Sequence, residues 1–399
     1  MGKLFSVELS GGNGRYCELE LPATDYELLD ALEKLRLRDR DTMSLEVCKY
    51  YDFGFLAPFL SDDPNLYELN VLSRKLSDLT DMQRTSFAGL LKTEIEKRDG
   101  DILIPRLIDL AYSADCCHVV GEALNDSQLG RFYADNGFIP ITEKVPDSIY
   151  ELLDFEALGR KARTEEGGVF VDRDTYGCCG YVTQHTDLVE AYKDMDFTPK
   201  VPPYTVLLEL TKGWFNDPEY DNEKTVQLWF PSSPSAMDHA LNDLGAATWS
   251  EVSFQCVDCR VPALADAVSD ANNVAEVNRF SQWLDNIPQE KLPAYKALLA
   301  ATHCRDLQNA MMLMDAMDSY VFSPGFSSPE DVARGELNIT MAESDVKLLL
   351  PHVNLYAYGE ALIQNQRASL TEYGLIERQD GQPIQSMEKQ PSQGGMEMM

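Results

Sequence analysis

Basic residues are scarce in this 399-residue chain: 34 Lys and Arg stand against 66 Asp and Glu, a formal net charge of -32. A surface so acidic repels phosphate, which excludes an ordinary nucleic-acid binder. Long apolar runs are missing too. Ala297 to Ala301 and Leu348 to Leu350 fall far short of the roughly 18 residues that cross a bilayer, so no membrane helix is expected. Near the N-terminus Phe5, Val7 and Leu9 alternate like a first strand, with no secretory apolar segment after them. Nine cysteines, two pairs of them adjacent, lack the regular framework of a secreted disulfide scaffold, and a reducing cytoplasm is the expected location.

The signatures of catalysis are equally thin. No GxGxxG follows a strand pattern, no lysine sits in a Walker A loop, and no serine sits in a GxSxG elbow. The five histidines show neither HxxxH nor HxH spacing. Cys256 and Cys259 form one CxxC that could be half of a zinc site with His303 and Cys304, but no second CxxC completes it. Neither an enzyme nor a cofactor or metal centre is expected.

What the chain does have is ordinary globular composition, 44% hydrophobic and 25% charged, in a length that calls for two or three domains. It also has an internal repeat. Leu19, Pro22, Ala31, Leu32 and Leu35 recur as Leu228, Pro231, Ala240, Leu241 and Leu244, an offset of 209. Asn65, Glu68, Asn70, Ser73 and Leu76 recur as Asn273, Glu276, Asn278, Ser281 and Leu284 at 208, and Ala157 and Gly159 as Ala357 and Gly359 at 200. The shrinking offset means that the second copy has lost loop residues. Residues 1–200 and 201–377 are the two copies, joined near Pro202-Pro203, and residues 378–399, without apolar period, are expected to be a disordered tail.

Local signals repeat with the letters. Thr24 and Glu27 form a capping box before an apolar stripe, and Ser233-Pro234 opens the matching helix of the second copy. Asn65 and Asn273 each precede Glu by three residues at the next helix start. Gly11-Gly12-Asn13-Gly14 reads as a hairpin turn, and strands are expected at 5–9, 17–21, 45–48, 206–210, 225–230 and 252–256. The fold class is therefore α+β, as an elongated pair of tandem copies, each made of small α+β and helical subdomains.

Charge is spread evenly, since residues 1–200 hold 38 acids and 22 bases and residues 201–399 hold 28 and 12, a net of -16 in each half. On helix patterns the acids collect opposite the apolar stripes: Glu27, Asp30 and Glu33 in the first copy, Asp238 and Asp243 in the second. Asp147, Glu151 and Asp154 fall at i, i+4 and i+7, the spacing of one helical face, where like charges oppose local stability. Such an arrangement suits a partner-binding acidic surface.

The segment Val145-Pro146-Asp147-Ser148, followed by Asp154-Phe155-Glu156-Ala157 and then Gly159-Arg160, resembles the antirestriction motif of the ArdA family. The likeness extends upstream through Gln128 to Tyr133 and back to Asn65 to Asn70. The second copy is similar to the family at Asn273 to Asn278, but has Asn354-Leu355-Tyr356 where the first has Asp154-Phe155-Glu156, two acids fewer. The resemblance implies a protein whose carboxylates imitate DNA phosphates and occupy the DNA-binding groove of Type I restriction-modification enzymes. It also implies that a tandem copy is a dimer fused into one chain, with a further homodimer compatible. The net charge corresponds to about 54 Å of duplex, or about 16 base pairs, at one charge per roughly 1.7 Å. A rival is an acidic module aimed at another basic DNA-binding or defence protein.

Overall fold

A computed structural model describes residues 2–37, 42–60, 63–97, 101–139, 146–198, 200–215 and 224–387. The fold is α+β, built of three-stranded antiparallel sheets and many helices, and it divides into two units. Among the described residues no helix is long and apolar enough to cross a membrane.

The first unit holds residues up to Ala23 and from Leu37 to Pro199. Its opening sheet pairs β1 (Phe5–Gly11) with β2 (Tyr16–Leu21) through the glycine-rich hairpin and with β3 (Met43–Lys49) on the other edge. Phe5, Val7 and Leu9 are buried, whereas Glu8 between them is exposed, as the two-residue period of a half-buried strand requires. Three helices follow, α2 (Leu66–Ser77), α3 (Asp81–Lys97) and α4 (Ile104–Tyr112), whose inward Leu69, Leu72, Leu76, Phe87, Leu91, Leu107 and Ile108 are inaccessible to solvent. The closing part places β4 (Cys117–Val120) and β5 (Val169–Val171) on either side of β6 (Gly180–Gln184). Between these strands run α5 (Asp126–Asp135), the short α6 (Asp147–Tyr150) and α7 (Phe155–Glu166), and α8 (Arg173–Tyr176) lies in the β5–β6 connection.

The second unit repeats this order. Strands β7 (Val206–Lys212), β8 (Thr225–Phe230) and β9 (Val252–Cys259) form a sheet of order β8-β7-β9, matching β2-β1-β3. With α9 (Pro234–Leu244) and α10 (Ala265–Ser269) come the three central helices α11 (Val274–Asp285), α12 (Leu292–Thr302) and α13 (Leu307–Ala316). Strands β10 (Tyr320–Ser323), β11 (Ser369–Thr371) and β12 (Gly374–Arg378) close the unit in the order β10-β12-β11, the counterpart of β4-β6-β5. Helices α14 (Pro329–Thr340), α15 (Glu343–Leu349) and α16 (Leu355–Gln366) correspond to α5, α6 and α7. The β11–β12 connection is a tight turn, with no counterpart of α8.

Helix α1 (Asp25–Leu35) departs from the sequence division. It lies in the first repeat, and its capping box is formed as expected, yet residues 24–36 pack with the second unit. Thr24 Oγ1 donates to Asp258 (2.6 Å), Tyr26 donates to the Tyr204 carbonyl, and Asp30 and Glu33 each receive the Lys296 ammonium at 2.6 Å. Tyr373 also donates to Asp30, and Lys34 bridges Asp30 and Glu372 at 3.1 and 2.9 Å. Part of the segment expected as a tail is packed. Ile384 and Met387 pack on the second unit's core and the Met387 amide bonds the Thr302 carbonyl, because an apolar residue in an aperiodic segment can still cover an open core edge. Residues 388–399 lie outside the described residues.

Burial by itself would push the Asp30 carboxyl up, but Lys296, Lys34 and the Tyr373 hydroxyl outweigh it and hold it below the usual range. A depressed folded value stabilises above the unfolded pKa of about 4, and the contribution is lost as pH falls through the lower folded value. Acid denaturation curves should show this loss, and Asp30→Asn should remove that portion of the pH dependence. Lys296→Met leaves Asp30 buried beside one cation fewer, and a loss of about 3 kcal/mol is expected in chemical denaturation.

Candidate functional site

The residues singled out by the motif are mostly engaged within the chain. Asp147, Glu151 and Asp154 do not share one helical face: α6 stops at Tyr150, Glu151 caps it, and Asp154 begins a new helix by accepting the Ala157 amide at 3.0 Å. That side-chain cap outcompetes continuation of the preceding turn, because it satisfies an amide that a helix start otherwise leaves unbonded. Glu151 pairs with Arg131 at 2.8 Å, and Arg131 also lies over the Phe155 ring. Glu156 pairs with Arg160. Pro146 is exposed; Val145 and the side chain of Asp147 lie outside the described residues.

Gly159 has a packing role. A Cβ placed there would stand 1.8 Å from the Asp126 carbonyl oxygen, and one on Gly130 would stand 1.9 Å from that of Phe155, so α5 and α7 cross in backbone contact. Arg163 locks the crossing through a two-pronged bond to Asp126, whose carboxyl it holds below the usual range. The second unit repeats the device, with Gly359 against the Pro329 carbonyl at 1.8 Å and Asn354 capping α16 through the Ala357 amide at 3.1 Å. Two motif positions thus serve the same structural task in both units: the cap, Asp or Asn, and the glycine.

The other sequence candidates divide. Asp238 and Asp243 are exposed on α9, without a hydrogen-bond or ion-pair partner among the described residues. Glu27 is half-buried and accepts the Thr24 amide in the capping box. Asp30, buried, and Glu33, half-buried, share the Lys296 ammonium, and Lys34 also pairs with Asp30, so both are engaged within the chain. The thiol pair Cys256 and Cys259 lies on β9, where burial pushes Cys259 up to about 12. Among the described residues no three of His, Cys, Asp or Glu converge as a metal site.

An acidic surface does form at a place the sequence reading passed over. Glu8 on the central strand stands directly opposite Glu18 on β2 and Glu46 on β3, so three carboxylates lie in one row across the exposed face of the first sheet. Neighbouring strands lie about 4.8 Å apart, and like charges directly opposite destabilise a sheet. None of the three side chains has an ion-pair or hydrogen-bond partner among the described residues. In the second unit the same row reads Gln227, Glu209 and Gln255, with the Gln255 amide donating to Glu209 at 2.6 Å. The signal was available in the sequence: Glu8 and Glu18 sit on the polar phase of two strands whose hairpin fixes their register.

No protein-family model matches the chain, and no curated protein matches it.

The crossing and the cap give a direct check on the motif. Gly159→Ala should destabilise the first unit by about 1–3 kcal/mol, the cost of forcing an atom into a filled space, and Gly359→Ala the second by a similar amount. Asp154→Asn should leave stability nearly unchanged, whereas Asp154→Ala should cost about 1 kcal/mol, both read by urea denaturation.

Proposed function

We propose that this protein is an acidic DNA mimic that inhibits by occupying the phosphate-binding groove of a basic enzyme, with Type I restriction-modification enzymes as the target class. The observation that carries the reading is the Glu18–Glu8–Glu46 row, uncompensated in the first unit and relieved by Gln in the second. A row that costs stability and has an available neutral alternative in the same fold is retained for something other than folding. The target class rests on the family resemblance of the motif segment. The net charge of -32 supplies attraction over distance, since cationic grooves draw in polyanions at enhanced rates.

Mimicry of this kind blocks by stoichiometric occupation. Carboxylates replace phosphates against Lys and Arg of the groove, and the inhibitor stays chemically unchanged. Affinity falls with salt, because the Debye length shortens to about 8 Å at physiological ionic strength and less above it. Duplex DNA competes for the same groove.

The test is the variant Glu18→Gln with Glu46→Gln, which writes the second unit's row into the first. Stability should rise by about 0.4–2 kcal/mol, two relieved like-charge pairs, while binding to a Type I enzyme weakens and its salt dependence flattens. A variant more stable and equally inhibitory would remove this row from the binding surface.

A further inference from the structure

The first unit contains a cavity of about 680 Å3 between the segment after β3, helix α3 and the β5–β6 connection. Its size is within the range of small-molecule sites. Phe53, Phe55 and Tyr176 give it flat apolar walls, Phe55 and Tyr176 meeting edge to face at 5.2 Å. Two guanidiniums border it. Arg84 lies over the Phe53 ring, and among the described residues its buried Nε has no hydrogen-bond partner and Arg173 bonds only the Cys179 sulfur, at 3.6 Å. Asp52 and Asp81 line the same cavity, yet neither bonds either arginine. In a chain with nearly two acids per base, arginines left without carboxylates are unexpected, and an orphan buried N–H costs about 1–3 kcal/mol.

The second unit shows what these elements hold when filled. There α12, the counterpart of α3, supplies Lys296, and the turn before β12 supplies Tyr373, and between them sits a carboxylate, that of Asp30 on α1. Gly180 and Gly374 open the matching strands with φ of 149° and 141°, so Tyr373 corresponds to Cys179. At the 208 offset Lys296 corresponds to Ala88, and Arg84 lies one turn earlier on the same face of α3. In the first unit the short helix α8 packs where the longer connection turns back, leaving the cavity without a carboxylate bonded in it.

We propose that this cavity binds a small organic oxyanion, a carboxylate or phosphate on a flat apolar body, with Arg84 and Arg173 holding the anion and Phe53, Phe55 and Tyr176 holding the body. Asp52 and Asp81 then face any N–H or O–H donor that the body carries. The site is separate from the glutamate row, and its failure would leave the proposed inhibitory surface untouched.

Ligand-observed NMR on the full chain, at fixed ionic strength, tests the assignment with three probes of one ring size: phenyl phosphate, phenylacetate and phenethylamine. Both anions should bind saturably at millimolar concentration, and the amine at least about tenfold more weakly. Arg84→Gln and, separately, the exposed Arg173→Gln should each weaken phenyl phosphate by about tenfold, with unchanged circular dichroism as the control for folding. The assignment is overturned if neither anion saturates, if the amine binds as well as the anions, or if Arg173→Gln and a folded Arg84→Gln both bind like the parent.

Discussion

Lys296 is the constraint around which the second unit is arranged. Its side chain is 4% exposed, and a buried ammonium is tolerable only where carboxylates and hydrogen bonds replace its water. Those carboxylates, Asp30 and Glu33, come from a helix belonging by sequence to the first repeat. The second unit therefore cannot complete its interior without α1. At the other end of the helix Asp258 stays buried with Thr24, Tyr204 and the Cys259 amide as donors; burial raises its pKa despite them. One end of α1 is thus held by a charged cluster, the other by a hydrogen-bonded acid.

The two copies share some positions and differ at others, and the difference is informative. The residues that hold backbones together persist: caps at Asn65 and Asn273, at Asp154 and Asn354, and glycines at 159 and 359. Several of the residues that differ carry charge in the first copy. Asp154 becomes Asn354 with the cap intact, Glu156 becomes Tyr356, and Glu18 and Glu46 become Gln227 and Gln255 on unchanged strands. At these positions the second unit carries neutral groups where the first carries acids, and of those acids Glu18 and Glu46 have no side-chain partner among the described residues.

Much of this was legible in the sequence because it depends on local rules. Strand alternation, the Thr24–Glu27 box, the Asn caps and the hairpin glycines are decided within a few residues, and all six expected strands form. Three things were not legible. The split of 147–154 into two helices turns on whether Asp154 caps forward or stays exposed in a longer helix, a competition that helical spacing alone does not weigh. The destination of α1 and the burial of Asp30 depend on Lys296, 266 residues away in sequence. The glutamate row needs strand register in addition to strand existence.

Several of the carboxylates that charge counting singles out are compensated within the chain. Glu151, Glu156, Asp126 and Asp30 all have an Arg or Lys within 4.0 Å, so they add little field beyond their own neighbourhood. Glu8, Glu18 and Glu46 have none among the described residues, and their field extends into solvent, where ions screen it. A cationic groove responds to that residual field. The number of acids in a segment is therefore a poor measure of its residual field, and the absence of nearby Lys and Arg on the same face is the better one.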